Sequence, residues 1–123
     1  MNHAKIDVII EEVTDGIYKD YPILLEKYGE RGRQKCKEDN EHHIKYLQTA
    51  AAMDEEKYFV DYAHWLNGIL TSRGMKTEHL IDNFQRLKKA FERSDDDKLS
   101  RVFINMLESA MDSLSTNAKT TTE

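Results

Sequence analysis

Apolar residues return every three or four positions along most of this chain, the spacing that lines one face of a helix. Ile6, Ile10, Val13 and Ile17 predict a first helix over about residues 4–19, with Gly16 weakening its end. Pro22 suits the first turn of a short second helix through Tyr28, and Gly29 closes that helix or lets it bend. A third helix is expected from about Gly32 to Met53, with Cys36, Asn40, His43, Leu47, Ala50 and Ala51 facing inward. Asp54 reads as the N-cap of a fourth helix over about 55–73, the most aromatic stretch: Tyr58, Phe59, Tyr62 and Trp65, followed by Leu66, Ile69 and Leu70. Arg73-Gly74 stops it. Thr77 caps a fifth helix with Leu80, Ile81, Phe84, Leu87 and Phe91 on one face, and Ser94 with Asp97 caps a sixth. There Leu99, Val102, Phe103, Met106, Leu107, Ala110, Met111 and Leu114 form a broad apolar face.

No strand pattern interrupts this series. The expected fold is all-α: a globin-like domain or a bundle of four long helices with a short N-terminal helix pair. It fills residues 1–114 as a single domain, and the polar stretch 115–123 is expected to be a disordered tail.

Composition narrows the function. The 123 residues carry 18 basic and 23 acidic side chains, a net charge of −5. A mildly acidic chain lacks the concentrated basic patch that phosphate backbones require, so nucleic acid is not expected as a partner. The one basic run, Arg31, Arg33, Lys35 and Lys37, is interrupted by Gly32 and Glu38. No apolar stretch approaches a membrane span, and no basic-then-apolar signal opens the sequence. A single cysteine forms no internal disulfide, which fits a reducing compartment and a cytoplasmic protein.

Chemistry concentrates on the third expected helix. Cys36 and Asp39 are three apart, and Asp39 and His43 four apart, so all three leave neighbouring parts of one face. A thiol there could form a thioether or ligate a metal, and a carboxylate could accept hydrogen bonds from ring N–H groups. Equally, a lone cysteine is often a small buried hydrophobe, and Asp39 could simply pair with Lys35 or Arg33. The string CKEDNEHHIKYLQTAAA resembles the chromophore-site helix of phycobiliproteins, the globin-like light-harvesting family. Their Cys, Asp, Glu, basic-Tyr and Ala places are filled here by Cys36, Asp39, Glu41, Lys45-Tyr46 and Ala50, and Leu66-Asn67-Gly68 resembles the Leu-Asn-Gly of the next family helix. The segment Glu30 to Arg73 is also similar to helical domains that precede cobalamin-binding modules in bacterial sensors.

The resemblance implies that Cys36 would hold a linear tetrapyrrole by a thioether, Asp39 would bind its pyrrole nitrogens and Lys45 would meet a propionate. Lysine stands where the family has arginine, which forms a bidentate clamp that lysine does not. Only 35 residues precede Cys36, which leaves no room for the family's N-terminal helical extension. A stand-alone carrier or sensor follows, with a bilin or haem ligand between the third and fourth helices and with Tyr62 and Trp65 lining the pocket. His43, on the inward stripe, is a candidate haem ligand or a half-buried histidine bonded to a neighbour. Asp39 with His42, and Asp61 with His64, have the carboxylate-x-x-His spacing of di-iron bundles, but neither pair has the glutamates those sites use. No phosphate loop, nucleophile elbow or Ser–His–Asp set appears, so the chain is expected to be a non-enzyme. The broad apolar face of the last helix suggests the alternative, a ligand-free helical homodimer acting as an interaction or regulatory module.

Overall fold

A computed structural model describes residues 3–94 and 97–121, with the side chains of the last helix described as far as Thr116. Five helices make up most of the described backbone: α1 (His3–Asp20), α2 (Pro22–Met53), α3 (Glu56–Ser72), α4 (Thr77–Arg93) and α5 (Lys98–Thr121). Among the described residues there is no strand.

The expected second and third helices are one element, α2, broken at a single residue. Gly29 has φ 65° and ψ −160°, a conformation open essentially to glycine alone, and the chain changes direction there before resuming the helix. Residues Pro22–Tyr28 thus form an arm ahead of the break.

Two helix ends differ from expectation. Asp54 does not cap α3. It closes α2 in the left-handed conformation (φ 52°), its N–H reaching the carbonyls of Ala50 and Ala51, and Glu55 takes the N-cap place of α3. Thr77 is the first residue of α4, whose start is satisfied by His79: its Nδ1 accepts the Lys76 N–H at 3.0 Å. The Ser94–Asp97 pair divides its labour. Ser94 Oγ donates to the Phe91 carbonyl at the end of α4, while Asp97 accepts the Ser100 N–H at 2.7 Å and opens α5. Helix α5 runs past Leu114, where the domain was expected to end, through Thr121. Thr116 Oγ1 bonds back to the Asp112 carbonyl at 2.9 Å, and residues 122 and 123 lie outside the described ones.

One continuous core joins all five helices. Ile6, Ile9, Ile10, Val13 and Ile17 of α1 meet Phe84, Leu87 and Phe91 of α4, and α5 lies along α2, α3 and α4. Phe103, Met106, Leu107, Ala110, Met111 and Leu114 are all buried against these neighbours, and Val102 and Ile104 are partly buried. The wide apolar face of α5 is therefore used within one chain, because α2, α3 and α4 all pack against it. It gives no ground for a homodimer built on that face. Fully burying a side chain of this size contributes about 1.5–3 kcal/mol.

The basic run is also committed internally. Arg33 bonds Glu11 and Asp15, Lys37 bonds Glu11 at 2.7 Å, and Lys35 bonds Asp39 at 2.8 Å. Three of its four cations thus bind α1 or their own helix and present no phosphate-binding patch.

Candidate functional site

The inward stripe of α2 delivers the expected candidates to three different surroundings. Cys36 is half-buried and turned toward α1, where Thr14 and Tyr18 face it; the Asn40 amide stands 3.8 Å from its sulfur. Burial, reinforced by the Asp39 charge, pushes the thiol up to about 11, so it is a thiol and not a thiolate at neutral pH. Asp39 sits at the rim with its carboxylate on Lys35.

His43 goes the other way, into the core. It is 2% exposed. Its Nδ1 lies 2.7 Å from the Tyr62 hydroxyl, and its ring meets Phe84 edge-on at 5.2 Å. Burial, and secondarily the neighbouring His42, pushes His43 down to about 3, so the imidazole is neutral. Burial and the Asp39 carboxylate push the Tyr62 phenol up, so it keeps its proton. The pair is a neutral hydrogen bond sealed by aromatic rings, with that ring nitrogen already engaged.

Lys45 and Trp65 point outward. Trp65 is 61% exposed although it was expected to line a pocket. Phe59, Tyr62, Ala63 and Leu66 take the inward stripe of α3, and at about 100° per residue Trp65 falls one position off it. Of the six expected residues the structure joins His43 to Tyr62 and sets Trp65 beside Tyr62, at 6.2 Å between rings. Cys36 and Lys45 stand apart from that group.

Two residues outside the expected set tie α2 to its neighbours, one to α3 and one to α4. Tyr46 stacks on Tyr62 with ring centres 3.9 Å apart and planes 12° apart, and on its other side lies along Tyr58 at 5.7 Å. The result is a ladder, Tyr58–Tyr46–Tyr62, ending at exposed Trp65. Beside it lies an open hollow of about 250 Å³ lined by His42, Lys45, Tyr46, Thr49 and Tyr58. Lys45 has no ion-pair partner among the described residues. The second is Asn40, fully buried, whose amide exchanges hydrogen bonds with Asn83 of α4 at 2.6 and 3.3 Å. Asn40 was legible as a polar side chain on an inward stripe, which requires a partner; Asn83 was not, because the pairing spans two helices.

A larger hollow, about 320 Å³, lies between α1 and α4 and is lined by Glu12, Gly16, Asp20, Asp82, Arg86 and Arg93 among others. Most of its charges are mutually satisfied: Arg86 bonds Asp20 and Asp82 at 2.8 and 2.9 Å, and Arg93 bonds Glu12, while Lys89 has no ion-pair partner among the described residues. Neither hollow is lined by Cys36, Asp39 or His43. Among the described residues no three His, Cys, Asp or Glu side chains converge to hold a metal ion. Asp61 is bound to Lys57 at 2.8 Å, and His64 Nε2 lies 2.6 Å from Ser113 Oγ. No helix among the described residues is long and apolar enough to cross a membrane.

Comparison with protein-family models, curated proteins and solved structures gave no match to this chain.

Proposed function

We propose that the chain is a non-enzymatic ligand-binding or sensory domain, of globin-like type, whose binding face is the α2–α3 surface. The observation that carries this reading is the tyrosine ladder with Lys45 beside its Tyr58–Tyr46 end and exposed Trp65 at the other. Stacked rings leave flat apolar faces for a planar conjugated ligand, and an unpaired lysine suits an anionic substituent. A tetrapyrrole, bilin or haem, with its ring against Tyr58 in the hollow and a propionate at Lys45, has that chemistry. A hollow of 250 Å³ seats only part of such a molecule, so the remainder would lie across the outer face toward Trp65. This geometry replaces capture between Cys36 and His43, and it needs no thioether.

Absorbance titration of the purified protein with haemin, biliverdin and cobalamin tests the reading. A shifted, saturable spectrum with a tetrapyrrole is expected, weakened by Tyr46→Ala and Lys45→Glu and unchanged by Cys36→Ala. No saturable spectral change with any of the three compounds refutes it.

A further inference from the structure

Arg86, Lys89 and Arg93 stand at i, i+3 and i+7 on α4 and raise a row of three cations along the hollow between α1 and α4. Arg86 is fixed in place. Asp20 and Asp82 hold it at 2.8 and 2.9 Å, and its side chain is 19% exposed. Its Nη1 lies over Gly16, where an added Cβ would stand 3.2 Å away, and donates to no acceptor among the described residues. Two carboxylates share this one guanidinium, so one negative charge is left uncancelled there. Both contacts use Oδ2, which leaves Oδ1 of each aspartate uncommitted. Arg93 and Glu12 cancel each other. Lys89 lines the same hollow without an ion-pair partner among the described residues, so one positive charge is left over too. Lys89 and Asp82 are two turns apart on α4, about 10 Å along the axis at 1.5 Å per residue, and do not pair.

We propose that this hollow binds a small zwitterion, an ammonium and a carboxylate joined by a short carbon chain. The ligand carboxylate accepts from Lys89 and from the free Nη1 of Arg86. The ligand ammonium donates to the uncommitted Oδ1 atoms of Asp20 and Asp82. Such a molecule cancels both leftover charges at once and spans the gap between them. Charge also disfavours either half alone: the chain's −5 opposes a bare anion, and the row of three cations opposes a bare cation. A volume of about 320 Å³ has room for the whole ligand, since it holds about ten groups the size of a water molecule at roughly 30 Å³ each. The hollow shares no lining residue with the aromatic face of α2 and α3, so this site stands or falls apart from any ligand held there.

The site is open to water and the ligand is small, so binding is weak, with a dissociation constant on the order of 1 mM. Amide chemical shifts of the isotope-labelled full chain, followed by nuclear magnetic resonance, measure it. The probes are 5-aminopentanoate and its two halves, pentanoate and pentylamine, at matched ionic strength. With 5-aminopentanoate the amides of Gly16 and Lys89 should shift and saturate, and each half alone should bind about tenfold more weakly or worse. Lys89→Met should weaken 5-aminopentanoate about tenfold. Asp20→Asn should reverse the preference, because it removes the surplus negative charge: pentanoate should then bind at least as well as 5-aminopentanoate. Unchanged helical circular dichroism confirms that both variants fold. No saturable shift at Gly16 and Lys89, a half that binds the parent as tightly as the zwitterion, or an Asp20→Asn variant that keeps the parent's preference overturns the proposal.

Discussion

Acid should unfold this protein through one imidazole. His43 is 2% exposed and hydrogen-bonded as the neutral form, with its proton affinity pushed down to about 3 from an ordinary 6.5. In the unfolded chain the same side chain protonates below about 6.5, so between those two values the unfolded state binds more protons than the folded one. Stability contributed by the neutral imidazole is fully present above pH 6.5, falls as pH drops, and is lost by the time pH reaches about 3. Each unit of the gap is worth about 1.4 kcal/mol, so between pH 7 and pH 5 this group alone removes about 2 kcal/mol. That is a large part of the roughly 5–15 kcal/mol of a typical domain. Urea unfolding followed by circular dichroism at 222 nm, repeated at half-unit steps over this range, measures the slope. His43→Gln is the control: it keeps a hydrogen-bonding group for the Tyr62 hydroxyl but does not titrate. The variant should be less stable than the parent at pH 7 and should lose about 2 kcal/mol less on going to pH 5. Parallel pH profiles for the two proteins would show that His43 is solvated or charged in the fold.

Cys36, with its thiol pushed up to about 11, should be alkylated by iodoacetamide about a hundredfold more slowly at pH 7.5 than a free cysteine, with the rate rising tenfold per pH unit to pH 10. Asn40→Leu and Asn83→Leu should each cost about 1–3 kcal/mol, and the double variant less than their sum, because each single change leaves the other amide without its partner; a double-mutant cycle by urea unfolding reads this. Gly29→Ala should lower stability by about 1 kcal/mol or more, since alanine is strained at φ 65° although open space surrounds the position; thermal unfolding measures it. Phe84→Ala should be the most damaging of these, about 3–5 kcal/mol, because the ring is fully buried against Phe59 and His43.

The helices were legible because each buries a periodic stripe. Ile6, Ile10, Val13 and Ile17 face inward as their spacing required, as do Leu80, Phe84, Leu87 and Phe91. Helix ends were less legible where the deciding atoms belong to the backbone: Asp54 is a good capping residue, yet its carbonyl-rich surroundings draw it into the left-handed close of α2. The candidate site was half visible. His43 was identified as inward, but its chemistry is set by Tyr62, which lies 19 positions further on, and by Phe84, on another helix. The Cys36–Asp39–His43 spacing put three side chains on neighbouring parts of one face, and a helix of this width splits such a face between two neighbours, here α1 for the thiol and α3 with α4 for the imidazole. Tyr46 escaped notice as a site residue because its role comes from stacking across helices, which no single-helix period records.

The ring ladder has an optical consequence. Ultraviolet energy absorbed by Tyr58, Tyr46 or Tyr62 flows by dipole coupling to the indole of Trp65, the only tryptophan in the chain, 6.2 Å beyond Tyr62. Phenolic emission is therefore drained toward a single outward-facing fluorophore. Anything that settles on this surface changes the colour and anisotropy of that light, which makes the face its own reporter.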